Sequence, residues 1–143
     1  MYKKIKFDAG SCLAMTNKKQ IMVVNDEQIQ NLICRKVFTM NIPDTEVIDF
    51  VDPAEAFNAI VEQKAAPRFI LLDVNMPGMS GWDFIERLKE KGLEFPIVMF
   101  TASVDEEDRE KAAAEKMVKM FLDKPMTKEK LPLLIPFLNG QQH

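Results

Sequence analysis

Three short, wholly apolar runs constrain this chain most: Ile21-Met22-Val23-Val24, Phe69-Ile70-Leu71-Leu72 and Pro96-Ile97-Val98-Met99-Phe100. None alternates apolar with polar residues, so each reads as a strand buried on both faces, the pattern of a parallel sheet. Residues 46–51 alternate in part and read as an edge strand, and residues 118–122 as a last strand. Helical stretches separate them. Ile29, Leu32, Ile33, Val37 and Met40 recur at three- and four-residue spacing, which predicts an amphipathic helix with that stripe inward. Asp52-Pro53-Ala54-Glu55 opens a second helix, with Asp52 as cap, proline at the first position and Ala56, Phe57, Ile60 and Val61 as its stripe. Trp82, Ile85 and Leu88 share one face of a third helix, which Gly92 ends. Ser103 and Glu106 have capping-box spacing ahead of a fourth, whose Ala112-Ala113-Ala114 interior buries little. Leu131, Leu134, Ile135 and Leu138 predict a fifth, starting late or kinked at Pro132 and Pro136. Five strand–helix units in this order predict an α/β fold: a doubly wound, five-stranded parallel sheet with helices on both faces.

A chain of 143 residues holds one domain of ordinary size. The expected organisation is an extension at 1–19, a domain at 20–139 and a tail at 140–143. That leaves no room for an output domain, so output is expected through a partner protein. Charges number 19 basic against 22 acidic, a net −3, which disfavours direct nucleic-acid binding. No apolar run has the length of a membrane span, so no membrane partner is expected. The start lacks an apolar core and carries Asp8 where one would stand, so it reads as neither signal peptide nor lipid anchor. Cys12 and Cys34 lack CxxC spacing and read as reduced thiols of a cytoplasmic protein. A single histidine, His143, excludes a histidine-based triad or metal site, and no GxxxxGK phosphate loop occurs.

The chemistry lies at the strand ends. The first strand runs out at Asn25-Asp26, the third at Asp73, the fourth at Thr101 and the fifth near Lys124. In an open parallel sheet those carboxyl ends converge on one edge, where ligands bind. Carboxylates, a hydroxyl and an ammonium would meet there. Two close acids hold a hard divalent cation through oxygen. Such a cation offsets the charge of a phosphoryl group, so that a carboxylate can act as its nucleophile. A lysine ammonium and a threonine hydroxyl suit the remaining phosphoryl oxygens.

From about Gln20 to Asn139 the chain resembles the receiver domain of two-component response regulators. The resemblance rests on Val23-Val24-Asn25-Asp26-Glu27, on Leu71-Leu72-Asp73-Val74-Asn75-Met76-Pro77-Gly78-Met79-Ser80-Gly81, on Phe100-Thr101-Ala102 and on Phe121-Leu122-Asp123-Lys124-Pro125. The second stretch is highly specific; the others are weak singly but stand in the right order. The resemblance implies the flavodoxin-like strand order 2-1-3-4-5. It implies that Asp73 is the phospho-acceptor, with Thr101 binding the phosphoryl group and Lys124 pairing with it. It implies Mg2+ (or Mn2+) held by Asp26, Asp73 and the backbone carbonyl of Asn75, and a switch formed by Thr101 and Phe121. It implies a cis Lys124–Pro125 peptide. The partners implied are a sensor histidine kinase or histidine phosphotransfer protein and a downstream protein target. The expected function is that of a stand-alone signalling switch in a phosphorelay, with self-phosphorylation and autodephosphorylation at Asp73 and no other enzymatic activity.

The chain departs from the family's pattern in three places. Asn25 stands where a second acid is common, which should weaken Mg2+ binding while leaving Asn25 a bond to a metal-bound water. Phe121 lacks the hydroxyl of the commoner tyrosine. Two prolines distort the last helix. Asn25 motivates an alternative, a receiver-shaped interaction module that is never phosphorylated. A phosphatase of the haloacid dehalogenase type would need a second aspartate two residues after Asp73, and that position is Asn75. Glu27 reads as a first-turn helix acid rather than a ligand.

Overall fold

A computed structural model describes residues 18–140. Cys12, His143 and most of the two expected tails lie outside the described residues. The elements run β1 Lys19–Val24, α1 Gln28–Asn41, β2 Thr45–Phe50, α2 Pro53–Val61, β3 Phe69–Leu72, α3 Gly81–Glu90, β4 Ile97–Thr101, α4 Glu106–Ala114, β5 Val118–Asp123, a 3-10 turn Lys128–Lys130 and α5 Leu131–Leu138. All strand pairs are parallel and the order is β2-β1-β3-β4-β5. This is the doubly wound, flavodoxin-like sheet the sequence led one to expect.

Strand alternation divides the core in two. Met22, Val24, Ile70, Leu72, Ile97 and Met99 face α2 and α3, where Phe57, Ile60, Phe84, Ile85 and Leu88 cover them. Ile21, Val23, Phe69, Leu71, Val98 and Phe100 face α1 and α5, under Cys34, Phe38, Leu134, Phe137 and Leu138. On that side Phe69 meets Phe38 and Phe137 at ring-centroid distances of 6.2 and 6.1 Å. Each such buried ring contributes about 1.5–3 kcal/mol. Burial pushes the Cys34 thiol up to about 12, so it stays a neutral packing group.

Local chemistry sets several boundaries as expected. Asp52 caps α2 through the Ala54 N–H, with Pro53 in the first turn. Gly92 follows α3 at φ +70°, a conformation natural to glycine. The 3-10 turn absorbs the late start of α5, and Lys124–Pro125 is cis.

Five helix details differ from the sequence reading. In α2 Val61 is exposed, while Ala56, Phe57 and Ile60 are buried as expected. In α1 the buried residues are Asn31, Cys34 and Phe38, while Ile29 and Met40 are 73% and 79% exposed and Leu32 is also exposed. Apolar residues ring this helix, and Asn31 decides its rotation by donating to the carbonyls of Asn25 (3.0 Å) and Phe50 (3.5 Å). In α3 it is Phe84 that joins Ile85 and Leu88 inside, with Trp82 half-buried. Asp105, not Ser103, caps α4: its carboxylate accepts from the Asp108 N–H at 2.8 Å. In α5 Ile135 is exposed, and the buried face runs through Leu131, Leu134, Phe137 and Leu138.

Candidate functional site

The sheet's hydrogen bonding continues one residue past β1, β3 and β5, and this assembles the site. The Asn25 N–H donates to the Phe50 carbonyl (3.0 Å), the Asp73 N–H to the Val24 carbonyl (2.9 Å) and the Lys124 N–H to the Thr101 carbonyl (3.0 Å). The ends of β1 and β3, and those of β4 and β5, are thereby fixed side by side.

Asp73 is 4% exposed. Its Oδ2 accepts from Lys124 Nζ at 3.3 Å, and its Oδ1 accepts from the Asn75 N–H at 3.3 Å. Burial raises the Asp73 pKa; the Lys124 ammonium and the Asn75 N–H pull it down, and the nearby Asp26 charge raises it further. Asp26 itself is exposed at the mouth. Lys124 keeps only 10% of its side chain exposed and lies 5.9 Å from the Phe100 ring centroid. Lys130 Nζ donates to the carbonyls of Asp123 and Pro125, each at 2.7 Å, and so pins the loop on both sides of Lys124.

The first strand's end is more occupied than its sequence suggests. Asn25 is fully buried, and its Oδ1 accepts from the Glu27 N–H (3.1 Å) and from Lys124 Nζ (3.5 Å). These two donors fix the amide's orientation and leave Nδ2 a buried donor without a protein partner. Glu27 is not a first-turn acid of α1. It is the N-cap residue, makes no side-chain cap bond, and pairs with Lys124 at 2.6 Å.

Thr101 is buried, and its hydroxyl donates to the Ser103 carbonyl at 2.9 Å. Phe121 is half-buried and packs against the α2–α3 side of the core. Asp26, Asp73, Asn25 and Lys124 therefore gather at one place, while the Thr101 hydroxyl is committed to its own loop. The roles of three residues escaped the sequence reading. Glu27 and Lys130 needed tertiary structure to show their partners. Gly81 is where a Cβ would stand 2.5 Å from the Asp73 carbonyl oxygen, so only glycine lets α3 start against the site. Beside it Ser80 and Asp83 form a capping box that starts α3, which the sequence reading also passed over.

The donor set fits a small hard cation. Asp26 and Asp73 bring two carboxylates to this edge, a donor chemistry that suits Mg2+, which keeps several waters and takes few protein ligands. Among the described residues no cluster of three or more His, Cys, Asp or Glu side chains offers a fuller cage.

Residues 21–135 match the family model of the response regulator receiver domain. The chain belongs to that family. Among curated relatives, this receiver is 34% identical over 113 residues to the cyclic di-GMP phosphodiesterase response regulator RpfG of Xanthomonas campestris, covering 78% of this chain and 29% of that protein. It is 36% identical over 94 residues to the phosphate regulon transcriptional regulatory protein PhoB of Escherichia coli, covering 64% and 39%. The chain thus spans less than half the length of these relatives. Among solved structures, a two-component response regulator from Cytophaga hutchinsonii superposes with a TM-score of 0.75 at 25% identity, covering 87% of this chain and 98% of that one. The chemotaxis protein CheY4 of Vibrio cholerae shares the fold, with a TM-score of 0.70 at 24% identity, covering 85% and 98%. No helix among the described residues is long and apolar enough to cross a membrane.

Proposed function

We propose that this receiver is a phosphorylation switch in which Asp73 accepts a phosphoryl group from the phosphohistidine of a sensor histidine kinase or histidine phosphotransfer protein. The observation that carries the proposal is the buried Asp73 carboxylate with the Lys124 ammonium 3.3 Å away, at the convergent strand ends. An Asp73 oxygen attacks phosphorus, the P–N bond breaks, and its electron pair returns to the imidazole nitrogen. Asp26, Asp73 and the Asn75 carbonyl would hold Mg2+ or Mn2+, which offsets charge on the phosphoryl oxygens. Lys124 pairs with a phosphoryl oxygen as a point charge. Thr101 exchanges the Ser103 carbonyl for another oxygen, and Phe121 follows into the space left. That biases a two-state surface toward a downstream protein. The chain acts as a switch rather than as a turnover enzyme.

Asn25 favours a second reading, an interaction module that is never phosphorylated. A titration with Mg2+ and the phosphoryl mimic beryllofluoride, read by Trp82 fluorescence, separates the two. Wild type should respond saturably and Asp73→Asn should lose the beryllofluoride response. No response at millimolar Mg2+ would favour the second reading.

A further inference from the structure

Lys124 has three N–H donors and no acceptor. They reach Glu27 Oε1 at 2.6 Å, Asp73 Oδ2 at 3.3 Å and Asn25 Oδ1 at 3.5 Å. The shortest contact goes to Glu27, not to Asp73.

The two partners of that contact differ in freedom. Lys124 is held by its buried stem, by its backbone bond to Thr101 and by Lys130 on either side. The Glu27 side chain is 56% exposed and makes no cap bond to α1. It can leave for water at small cost, and Lys124 cannot. A phosphoryl group on Asp73 would be a second anion requiring the same ammonium.

We propose, resting on Asp73 as the acceptor, that Glu27 is a positioning residue that holds Lys124 in the resting site and competes with the phosphoryl group for it. Glu27 then disfavours the phosphorylated form and speeds its loss. On phosphorylation the carboxylate is released beside the uncapped first turn of α1, so the state of Asp73 is passed to that helix. The competition is weak by design of its exposure, since half-exposed ion pairs contribute little.

The test is beryllofluoride affinity at saturating Mg2+, read by Trp82 fluorescence in the full chain. Saturation removes the separate effect of Glu27 on cation binding. Glu27→Gln should bind about three- to five-fold tighter than wild type. Glu27→Asp should resemble Glu27→Gln, because the shorter carboxylate loses reach to Lys124 and is drawn to the α1 N-terminus as a cap. Were long-range charge the cause, Glu27→Asp would match wild type, and that result overturns the proposal. Unchanged or weaker binding in Glu27→Gln overturns it as well. If wild type itself fails to bind while folded, the reading of Asp73 falls, and this inference with it.

Discussion

Trp82 Nε1 donates to Asp108 Oδ1 at 3.0 Å, tying the first turn of α3 to the first turn of α4. The bond matters because α4 has no apolar face; Asp108 is its one buried residue. Lys111, 5.8 Å from the Trp82 ring centroid, and the 3.0 Å Lys89–Glu115 pair add weaker attachments. Asp108→Ala leaves the half-buried indole N–H unpaired and should cost about 1–3 kcal/mol in chemical denaturation. Hydrogen exchange in α4 should rise well before that in α3. Equal protection of the two helices would mean that α4 is held by something else.

Gly81 provides a second, steric prediction. A Cβ there would lie 2.5 Å from the Asp73 carbonyl oxygen and 3.2 Å from Met99 Cε. Backbone cannot yield as a flexible side chain can. Gly81→Ala should therefore destabilise the fold by about 1–3 kcal/mol and weaken beryllofluoride binding, both read in one fluorescence series. Gly78 makes a useful control, since its φ of +81° disfavours alanine but its Cβ would meet nothing within 4 Å.

Asn25→Asp should tighten Mg2+ binding roughly tenfold or more, as an added charge a few ångströms from a divalent ion must. The aspartate keeps acceptors for the Glu27 N–H and Lys124 and removes the buried Nδ2 that has no protein partner. Mg2+ titration of Trp82 emission measures it. Unchanged affinity would place the cation away from β1.

The pH dependence follows from Asp73. Its folded pKa is raised, chiefly by burial. Between the unfolded and folded values the native state binds more protons than the unfolded one, so stability falls as pH rises through that window. Without Mg2+, Asp73→Asn should melt a few degrees above wild type at pH 7, the difference shrinking as pH falls from the raised folded value toward the usual aspartate pKa of about 3.9 and gone below it. A variant less stable than wild type at pH 7 would show that the Lys124 pairing outweighs the burial cost.

Much of this molecule was legible before its structure. Runs such as Phe69-Ile70-Leu71-Leu72 have only one low-energy place, the two-sided interior of a parallel sheet, and there they lie. The parallel strands then bring Asp73 and Lys124 to the same edge of the sheet, where the long lysine side chain reaches the carboxylate. Helix rotation was less legible. In α1 apolar residues fall on every side, and a buried amide, Asn31, rather than the apolar count, turned Cys34 and Phe38 inward. The cap of α4 fell to Asp105, the residue directly before the helix, rather than to Ser103 two residues earlier. Glu27 was the largest surprise in the site. Its sequence neighbours suggest a helix acid, and only the return of β5 after nearly a hundred residues supplies its partner, Lys124.

The central claim is that Asp73 carries the phosphoryl group. Incubation of wild type and Asp73→Asn with a small-molecule phosphoryl donor and Mg2+, followed by intact-mass measurement, tests it most directly. One phosphoryl adduct on wild type, absent without Mg2+ and absent in the variant, is the expected result. No adduct on folded wild type, or an adduct that persists in Asp73→Asn, would contradict it.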